Sequence, residues 1–131
     1  MKVDHIGIAV ADLADALALW TPILGVEGSP PEEVESQKVR VSFVDVGSTH
    51  LEFLAPTSPD SPVGRFLAER GGGLHHVAFR VPNVDQTLAT LAARGYRLID
   101  ATGRPGARGR RVGFVHPKAT ANTLVEFVEG P

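Results

Sequence analysis

The chain has 131 residues, enough for one domain that buries about two-thirds of its unfolded surface. A formal net charge of −2 leaves no electrostatic footprint for nucleic acid or an anionic membrane, and no apolar run nears the roughly 20 residues needed to span a bilayer. Cysteine is absent, so disulfide and thiolate chemistry are excluded and any metal must take nitrogen and oxygen ligands.

The N-terminus enters a strand pattern directly, with no signal-peptide character, and a cytoplasmic address is expected. Residues 2–10 place Val3, His5, Gly7 and Ala9 on one face and Ile6, Ile8 and Val10 on the other. Asp12 is a cap for a helix whose apolar positions are Leu13, Ala16, Leu17, Trp20 and Ile23, and Gly25 is its stop. Residues 39–44 and 50–54 alternate as strands across a turn at Gly47-Ser48. A capping Ser61 before Pro62 starts a short helix that runs to about Arg70, where Gly71-Gly72-Gly73 ends it.

The second half repeats this order. A strand at 75–81 leads to Asn83 as cap, to a helix carrying Val84, Leu88, Leu91 and Ala92, and to a stop near Gly95. Strands follow at 97–99, 111–115 and 123–128. The expected fold is α+β: two βαβββ modules, about 1–57 and 74–131, joined by a short helical linker within a single domain.

The duplication extends to the residues that carry chemistry. Asp4-His5-Ile6-Gly7 corresponds to His75-His76-Val77-Ala78, and Leu51-Glu52-Phe53 corresponds to Val125-Glu126-Phe127. Strand alternation sends Leu51, Phe53, Val125 and Phe127 toward the helices, and Glu52 and Glu126 to the opposite face beside His5 and His76. A glutamate between apolar neighbours is costly to bury without a partner, and one divalent cation satisfies both carboxylates and both imidazoles. This donor set suits Mn, Co, Ni, Fe or Zn and does not choose among them.

The remaining histidines leave alternatives open. His75 lies on the face opposite His76 and is a packing or surface residue. His50 shares the face of Glu52, as a substrate contact or as a strand-end surface residue. His116 follows a strand, either as a loop residue or as a contact to an anionic substrate. Arg104, Arg108, Arg110 and Arg111, interleaved with Gly103, Gly106 and Gly109, make a mobile cationic loop for phosphate groups or a solvated hairpin connection.

These residues resemble the vicinal oxygen chelate superfamily, and along nearly the whole chain they are similar to the methylmalonyl-CoA epimerases. The carrying segments are Asp4-His5-Ile6-Gly7-Ile8-Ala9-Val10, Pro56-Thr57-Ser58-Pro59-Asp60-Ser61-Pro62, Gly73-Leu74-His75-His76-Val77-Ala78-Phe79, Arg104-Pro105-Gly106-Ala107-Arg108-Gly109 and Phe114-Val115-His116-Pro117-Lys118. The resemblance implies a cupped, incomplete barrel around a divalent metal held by His5, Glu52, His76 and Glu126. It implies interconversion of (R)- and (S)-methylmalonyl-CoA through a metal-stabilised enolate, with Glu126 as one proton-transfer group. Arg104, Arg108, His116 and Lys118 become contacts for the acyl-CoA, and a homodimer is expected.

One position departs from the family. Many members carry a glutamate directly before the segment that reads Gln37-Lys38-Val39 here, and this chain has Ser36. Glu35 is the neighbouring carboxylate and the candidate second proton-transfer group; a shift of one residue on a regular strand reverses its facing, so a bulge or loop must bring it in, or a water or Ser36 takes the role. The rival activities are a glyoxalase I-like lyase and a metal-free binding protein of the bleomycin-resistance type. An extradiol dioxygenase would leave Glu52 unexplained, and a plain binding cavity would leave buried carboxylates as a liability.

Overall fold

The computed structural model describes residues 1–131. In chain order the elements are β1 (Lys2–Ala9), α1 (Leu13–Leu24), β2 (Glu32–Val34), β3 (Val39–Val46), β4 (Thr49–Pro56), α2 (Pro62–Arg70), β5 (Gly73–Val81), α3 (Val84–Ala93), β6 (Arg104–Pro105), β7 (Arg111–Val115) and β8 (Leu124–Glu129). The βαβββ, linking helix, βαβββ order expected from the sequence is present. No helix is long and apolar enough to cross a membrane.

The chain divides into two compact units, His5–His75 and Met1–Asp4 with His76–Pro131. The division falls within β1, so the first four residues belong with the second module.

In the first unit the strands run β2-β3-β4-β1, with β1 parallel to β4 and the others antiparallel. Asp12 caps α1 by accepting a hydrogen bond from the Asp15 amide at 2.9 Å. Gly25 ends the helix in the left-handed region at φ 68°, with its amide donating to Thr21. Leu13 and Ala16 of α1 pack on Ile8, Val44, Phe53 and Ala55, and Trp20 lies against the Phe53 ring at 5.4 Å. Burying one such large side chain contributes about 1.5–3 kcal/mol.

In the second unit the order is β5-β8-β7-β6, again with one parallel pair, β5 and β8. Asn83 caps α3 through the Gln86 amide at 2.9 Å. Val84 and Leu88 pack on Val81, Val115 and Phe127. Gly113 permits this approach, because a Cβ there would meet Leu88 at 2.6 Å. Between the modules, Ser61 caps α2 by accepting from the Gly64 amide at 3.1 Å, as the Ser-Pro pattern predicted.

One expectation needs correction. The strand predicted at 97–99 is not formed; Leu98 makes one isolated bridge to Val115, and the edge strand is Arg104–Pro105. The stretch before β3 is a turn. Residues Glu35–Gln37 form a single 3₁₀ turn, closed by Lys38 at φ 53°.

Candidate functional site

In each unit the helix covers one face of the sheet, which leaves the histidine and glutamate of the repeat on the other. In the first unit Glu52 lies between Gly7 on β1 and Phe43 on β3. His5 is 3% exposed and Glu52 6% exposed, with Nε2 of the histidine 3.5 Å from Oε1 of the glutamate. The Phe43 ring meets the His5 ring edge-on at 5.9 Å and limits its rotation.

The second unit repeats the arrangement. Glu126 lies between Ala78 on β5 and Phe114 on β7. His76 Nε2 is 3.2 Å from Glu126 Oε1, and the Phe114 ring meets the His76 ring edge-on at 6.0 Å. Both side chains of this pair are buried. Each unit thus presents an imidazole and a carboxylate with a small residue and a phenylalanine as fixed neighbours. Each dry pair offers one nitrogen and one oxygen donor, a set that suits a divalent metal.

The other residues singled out by sequence lie elsewhere in the two units. His50 faces the same way as Glu52, and its Nδ1 is 2.6 Å from Asp45, with the Phe43 ring at 6.2 Å. His75 packs edge-on against Phe66 of α2 at 4.8 Å, a packing role consistent with its facing. Glu35 and Ser36 are exposed on the 3₁₀ turn.

Arg104 pairs with Asp100 at 3.3 Å and its guanidinium lies over the Phe114 ring at 5.2 Å. Arg108 is exposed at the tip of the loop, with φ 58° in the turn Ala107–Gly109. His116 starts the turn Pro117–Ala119, and its Nδ1 accepts from the Lys118 amide at 3.1 Å. Partial burial holds the His116 imidazole below its ordinary pKa, and the nearby cations Arg97 and Lys118 add to this. It is therefore neutral near pH 7, with the proton on Nε2. Lys118 itself is exposed.

Two further guanidiniums of this segment are held by carboxylates. Arg110 turns inward to Asp4, at 3.0 Å and 3.3 Å, and also donates to the Glu129 carbonyl. Arg111 forms a two-pronged pair with Asp85 at 3.0 Å and 3.1 Å. The Arg111 guanidinium and the Gly103 amide hold the Asp85 carboxyl below the usual range. Arg104 is held in the same manner by Asp100, and Arg108 is exposed at the loop tip.

Asp4 is the residue that sequence reading passed over. It is 1% exposed and binds Arg80 at 2.9 Å as well as Arg110, directly before the metal-ligand candidate His5. The available signal was a lone acidic residue on the face of β1 opposite His5, among apolar positions.

Paired βαβββ modules, each with a buried imidazole–carboxylate pair on the face away from its helix, define an α+β scaffold built by duplication. The chain belongs to the Glyoxalase/Bleomycin resistance protein/Dioxygenase superfamily, whose pattern matches residues 4–114. It is 41% identical over 128 residues to the Bacillus subtilis protein YqjC, covering 98% of this chain and 91% of that one. It is 36% identical over 127 residues to the mitochondrial methylmalonyl-CoA epimerase of Homo sapiens, covering 96% of this chain and 72% of that one. Among solved structures, a Streptomyces coelicolor methylmalonyl-CoA epimerase variant in complex with 2-nitronate-propionyl-CoA matches with a TM-score of 0.94 at 35% identity, over 99% of this chain and 94% of that one.

Proposed function

We propose that this protein is a divalent-metal-dependent epimerase that interconverts (R)- and (S)-methylmalonyl-CoA. The observation that carries the reading is the duplicated buried pair, His5 with Glu52 and His76 with Glu126. Relatives named methylmalonyl-CoA epimerase, and a related enzyme bound to an acyl-CoA, give the substrate class.

The metal ligands are His5, Glu52, His76 and Glu126. A bound divalent cation supplies a Lewis acid that stabilises negative charge developing in the substrate as its α-proton leaves. The chain's own residues do the rest. Phe43 and Phe114 hold the imidazoles against rotation, and the helix-facing cores keep both strand centres dry. Glu126 exchanges a proton with one face of the α-carbon. Inversion needs a second group for the other face, and the sequence offers Glu35, Ser36 or a water there.

Arg104, Arg108 and Lys118 hold the anionic parts of the acyl-CoA, and neutral His116 donates through Nε2. The working form is a homodimer in the cytoplasm. Neither nucleic acid nor a membrane is a partner.

The test is deuterium wash-in at the α-carbon of methylmalonyl-CoA in D₂O, with and without Co²⁺ or Mn²⁺. Metal-dependent exchange with inversion is expected. No exchange with any divalent metal would remove the reading and turn attention to glyoxalase-type substrates.

A further inference from the structure

We propose that Glu32 is the second proton-transfer group, standing in for the carboxylate that position 36 lacks; this rests on the epimerase reading above. Strand register gives the facing of each carboxylate in the first unit. Glu32 on β2 sits directly opposite Val41 on β3, and directly opposed residues share a face. On β3, Val41, Phe43 and Asp45 alternate onto that face. Phe43 is opposite Glu52 and meets the His5 ring, so this is the face of the metal-ligand pair. Glu32 therefore points to the same side as His5 and Glu52, one strand beyond Phe43.

Its surroundings separate it from the other acids of the stretch. Val34, Val39 and Val41, at 6%, 0% and 1% exposure, line the same face around it. Glu32 is half-buried there, whereas Glu33 points to the opposite face and is exposed, and Glu35 is exposed on the turn. The face carries three carboxylates: Glu32, Glu52 against His5, and Asp45 against His50.

The step it performs balances without any co-reactant. The α-carbon to hydrogen bond breaks, the proton passes to a Glu32 carboxylate oxygen, and the bonding electrons move into the adjacent thioester carbonyl. A proton from Glu126 then forms the new bond on the opposite face. In the reverse direction the two carboxyls exchange roles.

The experiment uses the full chain loaded with Co²⁺, comparing wild type, Glu32→Gln, Glu32→Asp and Glu33→Gln. Each is given a single epimer of methylmalonyl-CoA in D₂O, and α-exchange and inversion are followed separately. Glu32→Gln should keep the wild-type cobalt stoichiometry and lose inversion by about 10²-fold or more. One epimer should still exchange its α-hydrogen with retention, because the remaining base can return a deuteron to the side it came from. Glu32→Asp should recover part of the inversion, and Glu33→Gln should invert like wild type.

Inversion by Glu32→Gln within about threefold of wild type would overturn the proposal. So would loss of its cobalt, which would make Glu32 part of the metal-holding set, or loss of all exchange with no recovery in Glu32→Asp. A wild-type protein that fails to exchange at all sinks the epimerase reading and this inference with it. An active wild type alongside an active Glu32→Gln removes only the inference.

Discussion

The two modules are alike at their strand centres and unlike at their edges. Glu52 has Gly7 and Phe43 as neighbours, and Glu126 has Ala78 and Phe114. Away from the glutamates the match ends. Glu32 opposes Val41 in one module, and Arg104 opposes Val112 at the same register in the other. His50 is paired with His5 where Leu124 is paired with His76. Before each histidine stands Asp4 in a double ion pair or His75 on an aromatic ring. Duplication has kept the buried imidazole–carboxylate pairs. The edges have diverged, one toward acids and the other toward cations. Such divergence suits a reaction in which one part of a substrate loses a proton and another carries negative charge.

The sharpest way to break this comparison is to treat the two glutamates as equals. Glu126→Gln should reduce turnover by about 10²–10⁴-fold even at saturating Co²⁺, because a proton-transfer group is lost with the ligand. Glu52→Gln should mainly raise the cobalt concentration needed, with much of the rate returning at saturation. Steady-state rates across a cobalt titration separate the two. Equal residual rates at saturation would mean that the symmetry extends to function. The histidines should behave alike: His5→Ala and His76→Ala should each lose stoichiometric cobalt on dialysis, read by metal analysis. A His76→Ala protein that retains it would contradict the four-ligand site.

A second test concerns the residues that precede the histidines. Asp4→Ala leaves the Arg80 and Arg110 guanidiniums facing a buried gap and should destabilise the fold by about 3–5 kcal/mol. His75→Ala removes one edge-on ring contact and should cost about 0.5–1.5 kcal/mol beyond its lost buried area. Urea unfolding of both variants ranks them. If the losses are similar, the ion clamp adds nothing that a ring contact does not.

The cationic edge can be tested through substrate. Arg104→Ala should raise the KM for methylmalonyl-CoA by about 10–100-fold, the loss of one charge-assisted contact, while kcat changes little. Steady-state kinetics would show it. A fall in kcat at constant KM would place Arg104 in the chemical step instead.

Much of this plan was legible because the signals were local. Asp12, Ser61 and Asn83 cap helices as their positions implied, and the apolar flanks of Glu52 and Glu126 gave the facing of both carboxylates. What escaped was set at a distance. β2 follows Pro30-Pro31 and reads Glu-Glu-Val, with little intrinsic strand character, and exists because β3 offers an edge. Residues 97–99 look like a strand but are held by separate bonds, Ile99 to Phe114 and His116 to Arg97, around a single bridge. Asp4 lies 76 residues from Arg80 and 106 from Arg110, so no spacing rule could pair them. The partners of Arg110 and Arg111, Asp4 and Asp85, are likewise set by the fold rather than by spacing.

The smallest expected effect is a pH dependence confined to one module. His116 is held below the ordinary imidazole pKa by partial burial, with Arg97 and Lys118 repelling its charged form. The unfolded chain therefore binds a proton at His116 more readily than the folded one. Stability from this group is fully present above about pH 6.5, the unfolded value, and is lost as pH falls through the lower folded value. Protonation also turns Nδ1 from acceptor to donor and breaks its bond from the Lys118 amide. Thermal melts of wild type and His116→Gln between pH 8 and about pH 5 isolate this contribution as a difference. The wild type should lose more stability on acidification than the variant. A variant with the same slope would show that His116 charges as readily in the fold as outside it, and the cationic edge would then owe nothing to a neutral imidazole.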